Sequence, residues 1–283
     1  MGRTLLRRGL QRVEGHLTAR REERSDAEIG WVLQQLGLPV QGLGIDTDSG
    51  PVLLAWEDGL VSLLHRLGGA AGDQSPARLT ELLRRNGEPH AARFALCAMP
   101  DGARRLVIRA RFPSDELDVP ALLLALQGIL ARLRARDAAV TALERRVAAL
   151  RASVWSEGEE VRAAAVAEAH VEDALVALGA DWRPLRRGWE IATDAGSARA
   201  VLAQRGHALA LRLDIARDRK PPPPDVLHWM LEASDHDGGW FALRDRPGGP
   251  ARASAMTVLS TLPMTAATLG WGLEEILRLA QRW

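Results

Sequence analysis

The chain has 283 residues, 47% of them hydrophobic, enough apolar material for two ordinary cores. Its 37 basic and 36 acidic side chains nearly cancel, so no overall field exists to hold nucleic acid or an anionic membrane. A single cysteine, Cys97, rules out a disulfide within the chain, and no apolar run long enough for a signal peptide or membrane span follows the basic start MGRTLLRRGL or occurs elsewhere.

These features, with basic charge that is arginine except for Lys220, predict a bacterial cytoplasmic protein. Residues 1–24 carry Leu6, Leu10, Val13 and Leu17 on one face and predict an amphipathic helix. Ser25 and Glu28 then form a capping box, and Ile29, Val32, Leu33 and Leu36 share a helical face that Gly37 ends. Three β-prone runs follow near 43–47, 51–56 and 60–67, separated by Asp-Ser-Gly and Glu-Asp-Gly turns. Pro76 opens a helix carrying Leu79, Leu82 and Leu83, and Asn86-Gly87 stops it. Strands over 92–98 and 104–112 flank Pro100-Asp101-Gly102, and a further helix begins around Asp118 or Val119.

From Pro120 to Val154 the pattern predicts one long helix, with Leu126, Leu133, Val140, Val147 and Val154 recurring every seven residues and Ile129, Leu143 and Leu150 between them. Such a stripe needs a partner, which residues 3–24 or a second chain could supply. The remaining elements are a helix over 157–178, strands near 188–193, 198–203 and 207–216, a helix over 224–233, strands over 240–244 and 252–260, and a helix over 265–281.

The second series repeats the first. RFALCAMPDG at 93–102 is answered by WFALRDRPGG at 240–249, 147 residues on, and GIDTDSG at 44–50 by EIATDAG at 190–196. The offset drifts in order along the chain, as a duplicated unit with loop insertions requires. The expected fold class is therefore α+β, two tandem α-β-β-β-α-β-β-α domains whose antiparallel sheets are covered by helices, joined by a long helix. The expected boundaries are an N-terminal helix over 1–24, domains over 25–136 and 157–283, and a helical linker over 137–156.

The element order, the Asp-x-Gly turn, the FAL strand and the proline before the final apolar helix resemble the class I type III secretion chaperone fold, and in particular its YbjN-type relatives. The resemblance implies a module without known catalysis that dimerises and, in the secretion chaperones, binds an extended partner segment. Two fused copies put the second in the partner subunit's place, so a monomeric pseudo-dimer is expected ahead of a homodimer.

No catalytic, cofactor or metal site is expected. The seven histidines form no helical pair with a nearby acid, Asp235-His236-Asp237 before Gly238-Gly239 reads as a loop, and no glycine-rich phosphate loop is present. Cys97 reads as a small buried hydrophobe. Trp31 and Trp271 lie opposite the apolar faces of their own helices, so each covers a neighbouring element or anchors a partner. Together with Leu143, Val147, Arg145 and Arg146 they are the candidate partner-binding residues. The expected function is a non-enzymatic, chaperone- or adaptor-like module that binds a protein or peptide; a structural subunit associating through the heptad helix is the alternative, and an enzyme a remote one.

Overall fold

The computed structural model describes residues 44–45, 47–57, 59–70, 74–99, 102–114, 118–134, 140–154, 157–215, 222–236, 238–246, 249–262 and 264–283. The N-terminal helix expected over 1–24, the capped helix after it and Trp31 lie outside the described residues.

The structure is α+β with two antiparallel sheets. The first contains β1 (Gly44–Ile45), β2 (Val52–Glu57), β3 (Leu60–Ala70), β4 (Ala92–Ala98) and β5 (Arg104–Pro113), in the order β1-β2-β3-β5-β4. Helix α1 (Pro76–Asn86) connects β3 to β4, and α2 (Val119–Arg134) follows β5. After α3 (Thr141–Val154) and α4 (Glu157–Ala177), the second sheet contains β6 (Trp182–Pro184), β7 (Trp189–Thr193), β8 (Gly196–Ala203), β9 (Ala208–Asp214), β10 (Trp240–Arg246) and β11 (Gly249–Ser260). Its order is β6-β7-β8-β9-β11-β10, with α5 (Pro224–His236) between β9 and β10 and α6 (Ala266–Arg282) after β11. Without the short edge strand β6, the strand order and helix placement equal those of the first sheet.

Local chemistry places these elements. Ser75 accepts a hydrogen bond from Arg78 N at 3.3 Å and Pro76 stands at the first helical position, which fixes the start of α1. The two Asp-x-Gly turns share a side-chain bond as well as a sequence. Thr47 Oγ1 donates to Gly50 O at 2.5 Å and Thr193 Oγ1 to Gly196 O at 2.7 Å, with both glycines at positive φ, 107° and 131°.

The long helix expected from Pro120 to Val154 is instead two helices, and α3 runs back along α2. Arg134 pairs with Glu144 at 2.6 Å at one end, while at the other Arg151 stands beside Pro120, Leu124 and Gln127. The reason is the heptad stripe itself: Leu143, Val147 and Leu150 bury completely or nearly so in the core shared with α2, while residues 3–24, the partner expected for the stripe, lie outside the described residues. Helix α2 is apolar nearly all round because it is covered on several sides. At Gly128 an added Cβ would stand 2.6 Å from Ala92 N, so the helix touches the backbone at the start of β4.

Both faces of the second sheet are buried where β9, β11 and β10 lie. Leu209, Leu211, Leu213, Phe241 and Leu259 belong to the core that α4 and α6 close, whereas Ala208, Ala210, Trp240, Ala242, Met256 and Val258 pack with Leu124 of α2. The first half thus serves as one of the layers covering the second.

Candidate functional site

Strands β4 and β10 are the edges where the sheets meet, and an edge presents backbone groups that no strand pairs. Helix α5 lies on β4 and α1 on β10, each more closely than on its own strand, and the two helices touch. The last turn of each helix then bonds one residue of each edge, Phe94 and Phe241. Asn86 Oδ1 accepts from Phe94 N at 2.8 Å and its Nδ2 donates to Phe94 O at 2.9 Å and to Phe241 O at 3.4 Å. Ser234 Oγ accepts from Phe241 N at 3.0 Å. All four residues are fully buried.

The capping is reciprocal. Arg93 Nε donates to Ser234 O at 2.7 Å, and Trp240 Nε1 donates to Asn86 O at 2.9 Å, so each half supplies a donor to the C-terminal carbonyls of the other half's helix. Arg93 and Trp240 occupy matching positions, 147 residues apart, and the Arg93 guanidinium lies 5.5 Å from the Trp240 ring centroid. Burial, and then the nearby Arg109 and Arg111, push the Arg93 guanidinium down to about 9, against the pull of Asp235 and Glu275.

Arg109 and Arg111 extend this face. Both donate to Asp235 O, at 3.2 and 3.1 Å, Arg109 also pairs with the buried Asp235 carboxylate, and Ser62 Oγ accepts from both. Three guanidiniums therefore meet the negative end of α5. Arg84 with Asp245 and Arg104 with Glu232 pair across the more exposed rim. Beside this cluster the Cys97 thiol is pushed up to about 11 by burial and by Asp235, so it stays protonated at neutral pH and is no activated nucleophile.

A cleft of about 230 Å³ opens on the other side of α2. Pro120, Leu123 and Leu124 of α2 and Leu262 supply its apolar surface; Arg151 of α3 and Arg205 supply its cationic surface, and His207 also lines it. Gln204 and Arg205 have positive φ, 50° and 58°, which is uncommon for residues with side chains.

The expected partner-binding residues are dispersed. Trp271 is only 5% exposed, under the loop before β10: an added Cβ at Gly238 would stand 2.2 Å from its ring. It also faces Ala121, Leu124 and Ala125 of α2 across a gap of about 20 Å³, so it covers a neighbouring element and offers no surface to a partner. Leu143 and Val147 are buried as described, which removes them as external contacts. Arg145 is exposed on α3 with its Nε donating to Thr141 O at 3.4 Å, and Arg146 lies on the same helix.

The junction residues Asn86, Arg93, Arg109, Arg111 and Trp240 were not legible as site residues, although two signals pointed to them. Arg109 and Arg111 alternate in a stretch, 106–113, that is otherwise apolar, and positions 93 and 240 differ where the repeat is most alike. Among the described residues no group of three or more His, Cys, Asp or Glu could hold a metal ion, and no helix is long and apolar enough to cross a membrane. Comparison of the chain with protein-family models, with curated proteins and with solved structures returned no match.

Proposed function

We propose that the protein is a non-enzymatic, chaperone- or adaptor-like module of two tandem domains, an intramolecular pseudo-dimer that binds a polypeptide partner. The observation that carries this reading is the reciprocal junction. Each half lays its middle helix on the other's edge strand, and the matching residues Arg93 and Trp240 meet each other while each donates across to the opposite helix end. Matching positions in mutual contact are what an isologous, two-fold arrangement produces. With each edge overlaid by the other half's helix and bonded at Phe94 or Phe241, this surface is not left open to a second chain.

The two parts of the reading are tested separately. Sedimentation equilibrium at micromolar concentration is expected to give a monomer, and a concentration-dependent dimer would refute the pseudo-dimer. Fluorescence anisotropy with a panel of labelled peptides of acidic, basic and apolar composition is expected to show saturable binding to a subset. A wild-type protein that binds none of them would refute polypeptide binding.

A further inference from the structure

Resting on the polypeptide-binding reading, we propose that the cleft between α2, α3 and the Gln204–His207 turn is the seat of an acidic-aliphatic segment of the partner. An aliphatic side chain enters over Leu123, Leu124 and Leu262, and a neighbouring carboxylate meets Arg151 and Arg205.

Size decides the class of occupant. At about 230 Å³ the cleft falls below the range of about 300–1,000 Å³ common for small-ligand pockets, and it suits one or two anchoring side chains of a longer chain. Charge decides the composition. Two arginines line it, with no aspartate or glutamate among the described lining residues, while the adjoining surface is leucine and proline. A basic or uniformly polar segment would leave one of these two surfaces unmatched.

The departure of the second half from the first points to the same place. Residues 58–59 join β2 to β3, whereas 204–207 join β8 to β9, so the connection that lines the cleft carries two additional residues. Insertions in one copy of a repeat often mark its binding side. The longer turn is firmly held: Gln204 Nε2 donates to Pro89 O at 3.4 Å, Thr261 Oγ1 to Gly206 O at 2.5 Å, and Thr261 N to His207 O at 3.2 Å. At Arg205, where the left-handed backbone favours glycine, a long cationic side chain stands instead and rims the cleft.

The probe is a fluorescein-labelled peptide, Gly-Glu-Leu-Leu-Glu-Gly, with its Gln and Lys counterparts, titrated by anisotropy into the full chain. The Glu peptide is expected to bind in preference to both, with affinity falling as salt rises. Arg205→Glu and Arg151→Glu are each expected to weaken it about fivefold or more, with circular dichroism unchanged. A benzoylphenylalanine photo-crosslinker in place of Gln127 is expected to label the added peptide. Equal binding of the Glu and Gln peptides, or binding indifferent to both arginine variants, overturns the cleft assignment and leaves polypeptide binding standing. A crosslink from position 127 only to the chain's own residues or to a second copy overturns the partner as occupant. If no peptide binds, the cleft assignment and polypeptide binding fail together.

Discussion

The junction makes an unequal demand on two residues at comparable places, Asn86 at the end of α1 and Ser234 near the end of α5. Asn86→Ala removes two good hydrogen bonds to Phe94, at 2.8 and 2.9 Å, and a longer one to Phe241 O. The net value of such bonds is about 1 kcal/mol each, and leaving the fully buried N–H and C=O of an edge strand unpaired adds about 1–3 kcal/mol, giving a loss of roughly 3–5 kcal/mol. Ser234→Ala leaves one donor, Phe241 N, without its acceptor, at about 1–2 kcal/mol, because the hydroxyl's other bond runs to Met230 O in its own helix. Urea unfolding followed by tryptophan fluorescence and by far-UV circular dichroism measures both. The midpoint is expected to fall clearly further for Asn86→Ala, with the two probes coinciding because both edges fail together. Equal midpoints for the two variants, or a cost below about 1 kcal/mol for Asn86→Ala, would refute the edge-completion argument.

Four further outcomes follow from the structure. Gly238→Ala drives a methyl into the Trp271 ring and is expected to cost about 2 kcal/mol by urea unfolding, whereas in a Trp271→Leu background the same change costs clearly less; additive losses would count against the contact. Arg205→Gly relieves a left-handed backbone and is expected to raise the melting temperature by about 2 °C in calorimetry while weakening the acidic peptide, so a fall in melting temperature contradicts the strain. Cys97, with its thiol pushed up to about 11, is expected to react with iodoacetamide near neutral pH about a hundredfold more slowly than an ordinary thiol. Between the ordinary thiol value and 11 the unfolded chain releases its proton first, so the stability of the wild type relative to Cys97→Ser falls as pH rises through that window.

The elements that could be read from the sequence are those whose ends are set locally. Pro76 and the Asn86-Gly87 stop bound α1, and the expected strand over 92–98 matches β4, because turns and caps act within a few residues. Strand β6 escaped notice because three residues ending in Pro184 carry no alternation and pair only at a sheet edge. The break between α2 and α3 was hidden for a different reason: a heptad stripe states that a helical face is to be buried but not by what, and here the partner is the preceding helix. The junction was least legible of all. Asn86 serves as a helix stop in one-dimensional reading and as the bonding partner of two strands in space, and no spacing rule links it to Phe241, 155 residues away.

Arg93 and Trp240 show what fusing two halves permits. If a single sequence met itself across this junction, position 93 would face its own copy. Two buried arginines would then repel each other, and two tryptophans would compete for one space. Because the halves are separate stretches of one chain, the two matching positions can hold a complementary pair, a cation over a ring, and each member reaches the opposite helix end. The same freedom explains the one-sided arginine face. Arg93, Arg109 and Arg111 gather on the first sheet, and their carbonyl and carboxylate partners, Ser234 and Asp235, lie on the second half. Neither half alone could satisfy these groups, so the specificity of the junction resides in its asymmetry.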